Sequence, residues 1–160
     1  MDNDALVALA EEMLARPFPE GPADCSDWLI GLAQSGPEAH FAPIAMSESL
    51  YETPADYDGR IGELWLEVWN DFEQRRLRAV AALTAAWGPP RLHSFRAEYE
   101  RVTGNDADVS TLDYNLAMFT SDEQFPAWRH GDRIVCLLLG QMDKEFPTVL
   151  TLAVIARPPS

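Results

Sequence analysis

The sequence predicts an α+β fold in which N-terminal helices pack on a C-terminal antiparallel β-meander of about three or more strands. Three observations predict it. Helical periodicity dominates the earlier part of the chain, two strand-length apolar runs lie near its end, and no internal repeat breaks this order. With 160 residues, 47% of them hydrophobic, the chain suits a single domain spanning residues 1–160.

The meander is predicted by two apolar runs, 134–142 and 148–155, which a polar break containing Pro147 separates as in a hairpin. Strand alternation sends the first run's side chains to two faces: Ile134, Cys136, Leu138 and Met142 to one, and Val135, Leu137 and Leu139 to the other. Because both faces are apolar, we expect this hairpin in the middle of a sheet with helices on it. A strand at 127–129, followed by a turn at His130-Gly131, completes a three-stranded meander within 126–157.

Two helices have clear patterns and clear ends. Residues 4–15 carry apolar side chains at helical spacing, and the helix is expected to stop at Arg16 because a proline follows. Residues 60–87 give the strongest helical signal, which Gly88-Pro89-Pro90 ends. Residues 73–76 interrupt its apolar side, so the helix is expected to bend there or to change its packing partner. Its apolar side and its tryptophans, Trp65, Trp69 and Trp87, predict that it covers one face of the sheet.

Three other segments are weaker. Residues 26–33 are predicted as a short helix, with an edge strand as the alternative. A helix capped near His93 or Ser94 would align Leu92, Phe95, Tyr99 and Val102. Residues 112–119 fit either a helix or a passage from helix to strand. Residues 34–59 are predicted to be a long irregular acidic connection, either packed or forming a binding surface, since they are too apolar for a disordered linker.

The charge distribution limits the classes of partner that the protein is expected to bind. The net charge is −14, and residues 1–59 contain 12 acidic residues and a single basic one, Arg16. Such a protein is expected to repel free nucleic acid and anionic membranes. It would attract a basic protein partner, although solubility alone also explains an acidic composition.

No motif in the sequence carries chemistry of its own. The histidines, His40, His93 and His130, are isolated, and neither a metal-ligand spacing, a serine-nucleophile motif nor a phosphate-binding glycine loop is present. Cys136 lies in an apolar strand, where a thiol is inert, and Cys25 is flanked by acids. We therefore predict a non-enzymatic protein with no metal or cofactor.

The sequence also indicates where the protein acts. No run of eighteen apolar residues is present, and the first residues are acidic where a secretory signal would be basic. A cytoplasmic location is therefore expected.

Two aromatic side chains have competing interpretations. Phe146, at the tip of the predicted hairpin beside Met142 and three charged residues, is either a contact point for a partner or folded over the edge of the sheet. Trp128, beside Arg129, is either core packing or an anchor at an interface.

The last hundred residues resemble small acidic bacterial proteins of the immunity type, which bind and neutralise a toxin domain. The resemblance rests on the net charge of −14, the helix that ends in Ala85-Ala86-Trp87-Gly88-Pro89-Pro90, and the β-meander after it. It implies a protein partner, no cofactor and no catalysis.

The leading hypothesis is therefore a protein-binding module that presents an acidic surface to a basic partner. The predicted surface is the N-terminal third, with residues 104–123 as a second acidic patch. Its predicted binding residues are Glu38, Glu48, Glu52, Asp56 and Asp58, with Tyr51 and Tyr57 as aromatic anchors. The alternatives are a chaperone or secretion accessory that acts as a homodimer, and a small-molecule enzyme of unknown reaction.

Overall fold

A computed structural model describes residues 1–24, 34–50, 59–141 and 146–159, and these form helices and one antiparallel sheet. The helices are α1 (Asn3–Ala15), α2 (Ile61–Trp87), α3 (Arg96–Thr103) and α4 (Thr111–Phe119). The strands are β1 (Ala23–Asp24), β2 (Gln34–Ser35), β3 (Ala39–Met46), β4 (Arg91–Ser94), β5 (Gln124–His130), β6 (Arg133–Gly140) and β7 (Val149–Ile155). The strand order is β1-β2-β3-β7-β6-β5-β4, which confirms the predicted α+β class.

The C-terminal meander is confirmed, with β6 and β7 in the centre of the sheet. The predicted alternation along β6 is also confirmed. Ile134, Cys136 and Leu138 lie in one buried cluster, and Val135 and Leu137 lie in the cluster on the opposite face. Both faces of the central strands are therefore covered, as their apolar character requires.

Helices α1 and α2 cover one face. Asp2 caps α1 by accepting a hydrogen bond from the Ala5 N–H at 2.8 Å, and the helix ends at Arg16 as expected. The second half of α2 packs against α1 and the sheet. The apolar side chains buried in this layer are Leu6, Leu9, Ala10 and Met13 of α1, and Ala79, Ala82 and Leu83 of α2.

Helices α3 and α4 cover the other face. Phe95, Leu112 and Leu116 are fully buried against the sheet there. The hydroxyl of Ser110 caps α4 by accepting from the Asp113 N–H. Residues 111–119 thus form a helix, which settles the choice that the sequence left open.

The prediction of an irregular connection over 34–59 is wrong for most of its described part. Residues 34–35 and 39–46 are strands, and β3 pairs with the central strand β7. β3 escapes the sequence pattern because its first five residues are all buried, so polar and apolar residues do not alternate. Pro43 adjoins an irregularity of register between Pro43 and Ala45, where a residue without an N–H is tolerated.

Two further predictions need correction. Residues 91–94 form the edge strand β4 instead of beginning a helix, and α3 begins at Arg96. Leu92, expected on the apolar stripe of that helix, is 62% exposed. Leu77 of α2 is also exposed, at 57%. Pairing of β4 with β5, which is distant in sequence, decides the conformation of this segment. The predicted helix at 26–33 lies outside the described residues.

The polar interruption in α2 marks a change of packing partner, one of the two expected outcomes. Before it, Phe72 packs on Leu139 and Leu150; after it, the helix packs on α1 and the middle of the sheet. At the change, Arg76 forms ion pairs with Glu73 and with Asp122, which precedes β5. Within the described ranges, no helix combines the length and the apolar character that crossing a membrane requires.

Candidate functional site at the end of the sheet

The first turns of α2 extend past the end of the sheet. At about 1.5 Å per residue, the 27 residues of α2 span roughly 40 Å, whereas the eight residues of β6 span about 26 Å at 3.3 Å each. Val68, Trp69 and Phe72 still contact the core, but no residue from 61 to 67 is buried. Trp65 is 37% exposed, although the sequence predicted that it covers the sheet.

Three aromatic side chains gather at this end, and we call Trp65, Trp69 and Phe146 the aromatic tip. The rings of Trp65 and Trp69 are stacked, with centroids 5.5 Å apart. The indole N–H of Trp65 donates to the side-chain oxygen of Gln141, whose amide nitrogen donates to the Phe146 carbonyl at 2.7 Å. Phe146 is 45% exposed, so part of its surface is accessible at this end of the sheet.

Acidic side chains lie at the same end of the molecule as the aromatic tip. The N–H of Ser47 donates to the Thr148 carbonyl at 2.9 Å, which places the neighbouring Glu48, an exposed residue, at the same end of the sheet as Phe146. Glu63 and Glu67 are exposed and lie about half a turn around α2 from Trp65, one helix diameter of roughly 10 Å away. Neither forms an ion pair with another described residue.

The structure separates the two described members of the predicted binding set. Glu48 follows β3, whereas Glu38 precedes it, so at 3.3 Å per residue they are about 30 Å apart. The carboxylate of Glu38 also accepts from the Arg157 guanidinium at 3.0 Å, which neutralises part of its charge. The remaining members lie outside the described residues: Tyr51, Glu52, Asp56, Tyr57 and Asp58.

The second predicted acidic patch, 104–123, is partly engaged within the molecule. Asp122 is paired with Arg76, and Asp113 is buried with its Oδ2 3.8 Å from Nη2 of Arg101. The carboxylate of Asp106 accepts from the Asp108 N–H in a turn. This patch therefore offers less free negative charge than its sequence suggested.

Ser35 and His40, which the motif search did not connect, come together across the β2–β3 turn. Nδ1 of His40 accepts from the Ser35 hydroxyl, and Nε2 donates to the Arg16 carbonyl at 3.0 Å, since a carbonyl can only accept. Burial lowers the pKa of His40, and the cations Arg133 and Arg16 lower it further, while the hydrogen bond to the Arg16 carbonyl raises it.

Contacts of His40 and of the nearby Arg133 connect the end of α1 to the sheet. The ring of His40 is fully buried and lies 4.6 Å from the Phe18 ring. Arg133 donates to the carbonyls of Leu14 at 3.0 Å and Arg16 at 2.6 Å, where α1 ends. A buried imidazole that is held by a carbonyl and has a lowered pKa is a weak general base. We therefore assign these contacts to fixing α1 on the sheet.

The other residues that the sequence analysis singled out, Cys136 and Trp128, belong to the core. Burial raises the pKa of the Cys136 thiol, so it is a poor nucleophile. Trp128 is core packing, 4% exposed, and its indole N–H donates to the Gly88 carbonyl at 2.9 Å. Among the residues that the structure describes, no group of three or more His, Cys, Asp or Glu could hold a metal ion.

Sequence reasoning placed Trp65 in the core because an apolar stripe does not reveal where the sheet beneath a helix ends. The mismatch between a 28-residue helical pattern and strands of about eight residues was the signal that an overhang would form. Comparison with known proteins adds no relative: no protein-family profile, curated protein or solved structure matches the chain. Fold and site together define the class as an α+β protein with an exposed aromatic surface at one end of its sheet.

Proposed function

We propose that this protein is a non-enzymatic protein-binding module that holds a basic partner at the aromatic tip. The observation that carries the proposal is the stacked pair of Trp65 and Trp69, of which Trp65 is exposed, on a helix whose other half is packed in the core. Exposed tryptophan and phenylalanine side chains that lie together are typical of interface hot spots.

The acids around the tip support a basic partner. Glu48, Glu63 and Glu67 lie within about one or two Debye lengths of the aromatic side chains at physiological salt. Together with the net charge of −14, they would accelerate encounter with a positively charged surface. The aromatic side chains, once desolvated, would then set the dissociation rate.

At a finer level, the proposal is an immunity-type protein that neutralises a basic toxin domain in the cytoplasm. Such a complex needs a strong apolar anchor together with charge steering, and the aromatic tip with its acids supplies both. Binding by itself would inhibit the toxin if the tip covers the toxin's active surface, so no catalytic residue is required.

The test titrates the protein with a panel of purified basic toxin domains, with affinity measured by calorimetry between 50 and 300 mM NaCl. We expect Trp65→Ala to weaken binding about 30-fold, because losing a central aromatic anchor costs about 2 kcal/mol. The double substitution of Glu63 and Glu67 by Gln should slow association and reduce the dependence on salt.

Matched controls lie elsewhere on the surface. Leu77→Ala removes an exposed apolar side chain of the same helix, and Glu11→Gln removes an exposed acid of α1. Both should bind like the unaltered protein. An affinity that does not fall with salt, or an equal loss in Trp65→Ala and Leu77→Ala, would overturn the proposal.

A further inference from the structure

A second site lies at the opposite end of α2. The helix ends at Trp87, Gly88 has a φ of 89°, and the chain then enters the edge strand β4. A cleft of about 350 Å³ opens there, lined by Trp87, Pro89, Arg91, His93, Ala127, Trp128, Arg129 and His130. Trp65 and Trp87 are 22 residues apart on one helix, roughly 33 Å, so this cleft is separate from the aromatic tip.

Strand register brings the basic side chains of this cleft together. Arg91 is paired with Ala127 and His93 with Phe125, and side chains two residues apart on a strand share a face. Arg91, His93 and Arg129 therefore lie on one face at a corner of the sheet. His130, one residue further, turns to the other face and contacts Trp87, with ring centroids 4.3 Å apart. The cleft reaches both faces at the sheet edge, because β4 begins opposite Ala127 and the last residues of β5 extend past it.

The charge of this cleft is opposite to that of the molecule. The chain carries −14, yet among the described residues none that lines the cleft is acidic. Neither Arg91 nor Arg129 forms an ion pair with any residue in the described ranges, although both are exposed at the cleft. Burial lowers the pKa of His93, and the cations Arg129 and Arg91, on the same face of the sheet, lower it further.

The cleft also contains an unsatisfied polar atom. Nε2 of His130 is buried and has no hydrogen-bond partner among the described residues, which is uncommon for a buried ring nitrogen. Trp87, half-buried beside it, supplies an apolar wall. Cationic groups and an aromatic wall in one cleft are the features of a site for a small organic anion.

We propose that this cleft binds a small anion, whose carboxylate or phosphate group is held by Arg91 and Arg129 and whose ring or apolar body lies against Trp87. A small ligand fits better than a polyanion, because a nucleic acid would also meet the acidic remainder of the surface. The guanidinium groups suit either head group, since both offer paired oxygens.

The test titrates four probes at low salt: benzoate, acetate, phenyl phosphate and inorganic phosphate. Indole N–H signals in nuclear magnetic resonance spectra locate the binding, since Trp87 and Trp128 lie at the cleft while Trp65 and Trp69 lie at the tip. We expect shifts at Trp87 and Trp128 with at least one ring-bearing probe, and an affinity about tenfold lower for the matching probe without a ring. The preferred head group identifies the ligand as a carboxylate or a phosphate.

Substitutions complete the test. Arg91→Gln and Arg129→Gln should each weaken binding about tenfold, whereas Arg78→Gln, at an exposed arginine of α2 away from the cleft, should not. Thermal unfolding verifies that each variant is folded. The proposal is overturned if no probe at 10 mM (roughly the weakest affinity of interest) shifts the Trp87 signal, or if the Arg78 variant loses as much affinity as the other two.

Discussion

Gly140, the last residue of β6, lies against the backbone at the C-terminal end of α4. A Cβ atom there would lie 2.7 Å from the Phe119 carbonyl oxygen and 2.9 Å from its carbon. Because both atoms belong to the backbone, they cannot move away as a side chain could. We expect Gly140→Ala to lower the free energy of unfolding by at least about 2 kcal/mol, measured by urea denaturation.

A matched glycine gives the opposite expectation. Gly62 lies in the exposed first turn of α2, and a Cβ there meets nothing within 4 Å. Gly62→Ala should therefore raise stability by about 0.5–1 kcal/mol, because alanine favours the helix. If both substitutions have the same sign, the close approach of Gly140 to Phe119 does not control stability.

For single residues, sequence patterns predict the properties that the alternation of side chains along a strand determines by itself. The two faces of β6 and the inert thiol of Cys136 follow from one strand and its apolar neighbours. The contact between Ser35 and His40 does not, because it exists only when β2 and β3 pair across their turn. A motif search for a serine beside a base cannot find a pair that tertiary structure creates.

Among the elements, α1 depends on buried polar contacts at its C-terminal end. His40 has a lowered folded pKa, so its neutral form stabilises the fold at pH above the unfolded value of about 6.5. That stabilisation is lost as the pH falls from about 6.5 through the lowered pKa. We expect the free energy of unfolding, measured by urea denaturation, to decrease between pH 7.5 and pH 5, by up to about 1.4 kcal/mol per pH unit for this one group.

Substitution separates this contribution from other histidines. His93 also has a lowered pKa, mainly through burial, and titrates in the same direction. His40→Asn should lower stability at pH 7.5 and flatten the pH dependence, whereas His93→Gln should flatten it with a smaller loss, since His93 stacks on Phe125 at the edge of the sheet while His40 holds the end of α1. An unchanged slope in His40→Asn would show that the loss of stability in acid arises elsewhere.

Elements with local signals were predicted and those fixed by distant pairing were not. α1, α2 and the meander carry periodicity and clear ends within their own residues. β3 lacks alternation because a central strand is buried on both faces, and β4 became strand through its pairing with β5. The candidate site could not be predicted for the same reason. Helix α2 was predicted, but its overhang depends on the length of a sheet built from distant segments.

For the molecule as a whole, the sequence determined the charge but not where it is neutralised. Glu38, Asp122 and Asp113 all lie near arginines from distant segments, so part of the negative charge is compensated inside the fold. Conversely, Arg91 and Arg129 meet at the cationic cleft only after β4 and β5 pair. The negative surface and the positive cleft therefore result from tertiary structure, even though the total of −14 does not.

That total predicts how stability responds to salt. Repulsion between like charges is stronger in the compact state than in the extended chain, so screening should stabilise the fold. From 20 to 200 mM NaCl the Debye length falls from roughly 20 Å to 7 Å, and we expect the free energy of unfolding to rise by about 1 kcal/mol. Replacing Glu63 and Glu67 by Gln takes the net charge from −14 to −12 and should weaken this response. A fall in stability with salt would mean instead that ion pairs such as Arg76–Asp122 outweigh the repulsion, because salt screens attraction as well.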